Sequence, residues 1–137
     1  MDKAYVLDTS ALFAYIELEA GAETVEHILT LAAKGKCRVY LSFISLLEAY
    51  YITWQKKGED KAKELAMLLK SLPVERVESN ESLILSAGYI KANHRMSLAD
   101  SIVSATAINK QAILVHKDPE LKAISHYIQT FFLPGSK

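Results

Sequence analysis

The sequence predicts an α/β fold of three layers, with helices covering both faces of a small parallel sheet. Two observations predict it. Short runs of β-branched, aromatic and aliphatic residues recur along the chain. The longer segments between them carry apolar residues at helical spacing, so helix outnumbers strand. Strands that alternate with helices imply parallel pairing through crossover connections.

The first strand-like run is 4–7, which stops at Asp8, Thr9 and Ser10 before Ala11, Leu12, Phe13 and Ala14 resume as a helix would. Residues 23–34 place Val25, Ile28, Leu29 and Ala32 on one face and end at Gly35, a natural C-terminal cap. The second strand is 38–41. Two helices follow: 45–57, with Leu46, Leu47, Tyr50, Tyr51 and Trp54 before Gly58, and 59–72, with Ala62, Leu65, Ala66 and Leu69 before Pro73. The third strand is 74–77. Two more helices, 80–92 and 97–109, precede a fourth strand at 112–115. A short helix is expected after Asp118-Pro119, and a fifth strand at 129–133.

A chain of 137 residues fits one domain over 1–137 and can bury most of its apolar surface. Lys+Arg and Asp+Glu number 16 each, so a polyanion site must be a local patch rather than a property of the whole chain. The single cysteine, Cys37, excludes an internal disulfide and a cysteine-rich zinc site, which makes a cytoplasmic location the expectation. The start of the sequence has no signal-peptide pattern, and no stretch is suited to spanning a membrane.

The candidate chemistry lies in four acids: Asp8, Glu48, Asp100 and Asp118. Each has a purely structural explanation. Asp8 can cap the first helix. "SLLE" (Ser45 to Glu48) matches a capping box, and "SLAD" (Ser97 to Asp100) repeats the pattern with Asp. "DPEL" puts Asp118 at a cap with Pro at the first helical position. Taken together they suggest more. Asp8 and Asp118 follow strands and Glu48 lies just inside the helix after one, so in a parallel sheet all three gather at the carboxyl edge, where open α/β sheets bind ligands. Asp100 shares a helix face with the small residues Ser104 and Ala107. Converging carboxylates repel unless a cation sits among them. Magnesium or manganese suits such oxygens and can activate water for displacement at phosphorus.

The stretches "YVLDTSALFAYI", "LSFISLLEAYY", "MSLADSIVSATAI" and "AILVHKDPEL" together resemble PIN domains in order and spacing, most nearly the VapC-type toxin ribonucleases. The resemblance covers essentially the whole chain. It implies strand order 3-2-1-4-5 and a Mg2+- or Mn2+-dependent endoribonuclease. By position, Asp8, Glu48 and Asp100 match the three recurrent PIN acids, expected in one metal-sized cluster. Asp118 matches a fourth, more variable acid, and Thr9 and Ser10 support the first. The chain departs from the pattern at His116, where many relatives have Thr, and at Glu120-Leu121, where many have Asp-Phe. His116 is either a phosphate contact or a structural replacement for the hydroxyl.

RNA contacts would come from Arg95, Lys117 and His116, with Lys91 and His94 nearby; no base-reading motif is present. The family implies a small cognate antitoxin. Tyr50, Tyr51 and Trp54 on one helix offer apolar surface for a homodimer. Two alternatives stand beside the toxin reading: an RNA-processing PIN nuclease outside toxin–antitoxin systems, and a metal-dependent phosphatase. Ser10 weighs against a haloacid-type phosphatase, which needs a second Asp there.

Overall fold

The computed structural model describes residues 3–134. Five strands form one sheet: β1 (Lys3–Leu7), β2 (Cys37–Ser42), β3 (Glu75–Val77), β4 (Ile113–His116) and β5 (Thr130–Phe132). Their order is β3-β2-β1-β4-β5, and every pairing is parallel. Six helices connect them: α1 (Thr9–Ile16), α2 (Ala22–Ala33), α3 (Phe43–Lys57), α4 (Glu59–Ser71), α5 (Glu81–Asn93) and α6 (Leu98–Lys110). The segment after Asp118 is a 3-10 turn, Pro119–Ile124. None of the described helices is long and apolar enough to cross a membrane.

Alternation along the strands divides the core into two layers. Val6, Tyr40 and Leu114 point to one face, where they meet Ile90 of α5, Val103 of α6 and Leu121 of the 3-10 turn. Leu7, Val39, Leu41 and Val115 point to the other, against Leu12, Ile28, Ala49 and Leu65 of the first four helices. Both faces are therefore dry, which is why the strands read as nearly continuous apolar runs.

The expected elements form, with shifts at their ends. The largest is in α3, which starts at Phe43 rather than 45 because the Ser42 hydroxyl accepts the Ile44 N–H at 3.3 Å and caps it first. After α2, the N–H groups of Gly35 and Lys36 bond the carbonyls of Ala32 and Leu31, a closure that needs the left-handed conformation Gly35 adopts at φ +73. Gly21, before α2, also has positive φ (+98), and a Cβ there would lie 3.1 Å from the Leu133 Cβ.

These two glycines should respond differently to alanine. Gly35→Ala meets no neighbour within 4 Å and should cost only the left-handed backbone penalty, about 1–2 kcal/mol. Gly21→Ala should cost more, since Leu133 must also give way. Urea denaturation of both variants checks the ranking; equal losses would mean that Leu133 packs loosely.

Candidate metal centre

The site is built where β1, β2 and β4 end side by side. Leu7 pairs with Val115, and the N–H of the next residue, Asp8, still donates to the Val115 carbonyl at 2.9 Å. Asp8 is thereby carried to the carboxyl edge in extended conformation, and it caps α1 by accepting the Ser10 N–H at 3.3 Å. The Ser10 hydroxyl donates to the same carboxylate at 2.5 Å and accepts the Lys117 N–H at 2.9 Å. One hydroxyl thus ties the end of β1 to the segment leaving β4.

Thr9 turns towards α3. Its hydroxyl donates to Glu48 Oε1 at 2.7 Å and lies 3.0 Å from the hydroxyl of Ser45. A hydroxyl has one proton, so with that proton on Glu48, Ser45 is left to donate to Thr9. The capping box expected over Ser45–Glu48 therefore does not form. Ser42 has taken the cap, Ser45 is buried inside the helix, and Glu48 sits in the second turn with no backbone N–H to satisfy. Its carboxylate goes to Thr9 instead.

In α6 the capping half of the motif is present: the Ser97 hydroxyl accepts the Asp100 N–H at 3.1 Å. Asp118 caps the 3-10 turn by accepting the Glu120 N–H at 3.0 Å, with Pro119 at the first position. Asp100, Asp118 and Glu120 then bring carboxylate oxygens within 4.8 Å of one another, the one such group of three among the described residues. Asp8 and Glu48 do not join this group. Thr9 and Ser10 bind them, and their charges act on Asp100, that of Asp8 ahead of that of Asp118. Asp8, Glu48 and Asp100 are thus electrostatically linked, with Asp118 and Glu120 alongside Asp100. Glu120 was missed as a candidate ligand. Its approach to Asp100 follows from the tight 3-10 geometry, which no local sequence pattern announces.

The electrostatics match this layout. Burial, with the charges of Asp8 and Asp118, pushes the Asp100 carboxyl up to about 7, and a hydrogen bond to Asp118 and the charge of Glu48 add to the rise. Burial raises Asp8 to about 6 against the opposing bonds from Ser10 and Thr9. Hard carboxylate oxygens carrying unrelieved repulsion fit a hard divalent cation such as Mg2+ or Mn2+.

The candidate RNA contacts are placed unevenly. Arg95 and Lys91 are exposed. The Lys117 ammonium lies 3.5 Å from Glu19 with a side chain only 10% exposed. His94 bonds the Tyr127 hydroxyl at 2.9 Å. His116 has no exposed surface, its Nδ1 is 2.9 Å from the Asp118 carbonyl, and burial lowers its pKa. It is an interior residue, which fits the structural one of its two readings.

Residues 5–127 match the PIN domain family model. Among solved structures, the chain is similar to VapBC2 from Rickettsia felis bound to a promoter DNA fragment (17% identity, 96% of this chain and 99% of that one, TM-score 0.76). It is similar also to DNA-bound VapBC from Salmonella typhimurium (17% identity, 96% and 98%, TM-score 0.75). A third similar structure is Mycobacterium tuberculosis VapC20, a toxin that cleaves the sarcin-ricin loop (19% identity, 95% and 99%, TM-score 0.67). At these identities the likeness shows the fold. No curated protein sequence matches significantly.

The raised carboxyls set a pH dependence. Asp100 holds its proton to about pH 7 when folded and to 3.8 ordinarily. Its ionisation therefore opposes folding, not at all below about pH 4, increasingly above that, and fully above about pH 7. In chelator, Asp100→Asn should melt higher than the wild type at pH 8, with the gap closing towards pH 4. Thermal melts across that range test this; a variant that melts lower at pH 8 would show that the carboxylate stabilises the metal-free fold.

Proposed function

The chain belongs to the PIN-domain family, and on that footing we propose that it is a metal-dependent endoribonuclease, the toxin of a type II toxin–antitoxin pair, with residues 1–137 acting as one nuclease domain. The observation that carries the nuclease reading is the approach of Asp100, Asp118 and Glu120 within 4.8 Å, beside Asp8 and Glu48 whose charges reach the same carboxyl. Acids forced together at a cost to folding are expected where a cation is to be held.

In this reading Asp8, Glu48, Asp100 and Asp118 hold Mg2+ or Mn2+, with Glu120 as a further candidate ligand. A bound divalent ion there supplies a stabilised phosphate oxygen and a more acidic water for in-line displacement. Uptake of a cation would favour the ionised form of Asp100, so binding should strengthen with pH. Ser10 and Thr9 fix the carboxylates of Asp8 and Glu48 through their hydroxyls. Arg95, exposed on the loop before α6, meets the RNA backbone; Lys117 can do so only by leaving Glu19.

The toxin assignment is supported by the VapBC complexes among the similar structures, whose antitoxin partners suggest one for this chain. Leu47, Tyr51 and Trp54 remain exposed along α3, with Tyr50 packed edge-on to Trp54 at 5.7 Å. That stripe supports a homodimer in which a twofold contact uses the same patch twice.

Asp100→Asn should lower Mg2+-dependent cleavage of unstructured RNA about a hundredfold or more, because metal stabilisation is worth several kcal/mol. A folded variant cleaving at the wild-type rate would reduce Asp100 to helix structure, and cleavage only of a small phosphate ester would favour the phosphatase. Light scattering over a concentration series should give the dimer mass; a monomer mass persisting to high concentration rules the dimer out.

A further inference from the structure

His116 is buried at the end of β4 and takes no part in the proposed chemistry. Its carbonyl accepts the Leu133 N–H at 2.7 Å, and its ring packs against Phe132 with centroids 5.3 Å apart. Both backbone and ring are thus fixed by the chain around β5. Nδ1 lies 2.9 Å from the Asp118 carbonyl oxygen. A carbonyl only accepts, so Nδ1 carries the proton and donates. Nε2 is then an unprotonated acceptor, buried and without a partner among the described residues. For folding alone, such an orphan is a liability that an apolar side chain of similar size would remove.

What the imidazole provides in return is one bond at a critical carbonyl. The Asp118 oxygen also accepts the Leu121 N–H at 3.1 Å, the first bond of the 3-10 turn. With both lone pairs engaged, the plane of the Asp118–Pro119 peptide is set from two directions. Its neighbours on either side carry the acids: the Asp118 carboxylate caps Glu120, and both carboxylates reach Asp100 on α6. The turn is only six residues long. A rotation at this peptide would swing both acids away from Asp100.

We propose that His116 is a positioning residue that fixes the Asp118–Glu120 corner of the acidic site through its Nδ1–H bond to the Asp118 carbonyl. This rests on the metal-nuclease reading; outer groups that orient metal-ligating residues commonly alter metal affinity 10- to 100-fold when lost.

Three substitutions separate the bond from the bulk. In His116→Asn the amide nitrogen falls near the position of Nδ1; in His116→Gln it falls near Nε2; His116→Leu has neither. Mn2+ affinity is measured by calorimetry, melting temperature by circular dichroism, and amide exchange at Glu120 and Leu121 in metal-free protein by NMR. The Asn variant should bind Mn2+ close to wild type, whereas Gln and Leu should bind about tenfold or more weakly. Exchange at Glu120 and Leu121 should quicken in Gln and Leu only, and the Leu variant should melt no lower than wild type because the orphan nitrogen is gone. A loss of affinity without a loss of stability distinguishes positioning from general packing. Wild-type Mn2+ affinity and wild-type exchange in the Gln variant would overturn the proposal, and that comparison stands even if the Leu variant does not fold. Should the wild type bind no Mn2+, the metal reading falls by itself, and the exchange data decide whether His116 orders the turn.

Discussion

Carboxylates do not gather unless something forces them together, and here the force is the parallel sheet. Because β2, β1 and β4 run the same way, their carboxyl ends open onto one edge, and the residues that follow share it whatever their charge. The pairing is carried one residue past the strand by the Asp8 N–H on Val115, so Asp8 cannot retreat. Burial and mutual charge then lift Asp8 and Asp100 towards neutrality. Two dry faces and two apolar layers stabilise the fold enough to tolerate that repulsion.

The two hydroxyls after Asp8 divide the labour. Ser10 faces β4 and Thr9 faces α3, as adjacent residues on a helix must, about 100° apart. One restrains Asp8, the other Glu48. The consequence is an acidic edge in which every carboxylate has a fixed neighbour: a hydroxyl, a capped N–H or another carboxyl. Such fixing is what a site needs if it is to accept a cation without first rearranging.

The architecture was legible because it is written in periodicity. Val6, Leu7 and Leu114, Val115 alternate faces as strand residues do, and the helical stripes of α2 and α4 are regular. Ends were less legible, since they depend on competition between neighbours. Ser42 and Ser45 are both adequate caps, and the sequence does not say which will win; once Ser42 does, Glu48 loses its capping partner and is released to Thr9. Asp8, Asp100 and Asp118 could be named from their places after strands or in a helix's first turn. Glu120 could not, because its approach to Asp100 depends on the tight 3-10 geometry, and a helical reading of the same residues would have aimed it elsewhere. His116 was visible as an oddity, but whether it faced water or the interior depended on Phe132 covering it, a contact between adjacent strands that no local pattern encodes.

Cys37, the chain's only cysteine, lies at the start of β2 and is 7% exposed, with its sulfur 3.5 Å from the Ile28 carbonyl on α2. Opening of α2 from the sheet would expose its thiol to a reagent. The molecule therefore carries a built-in gauge of how often that layer opens, read as a modification rate without any added label. The gauge reports from the α2 side of the core and not from the acidic edge, so a partner that clamps α2 would slow it, whereas an ion seated among the carboxylates would be felt there only through the shared core.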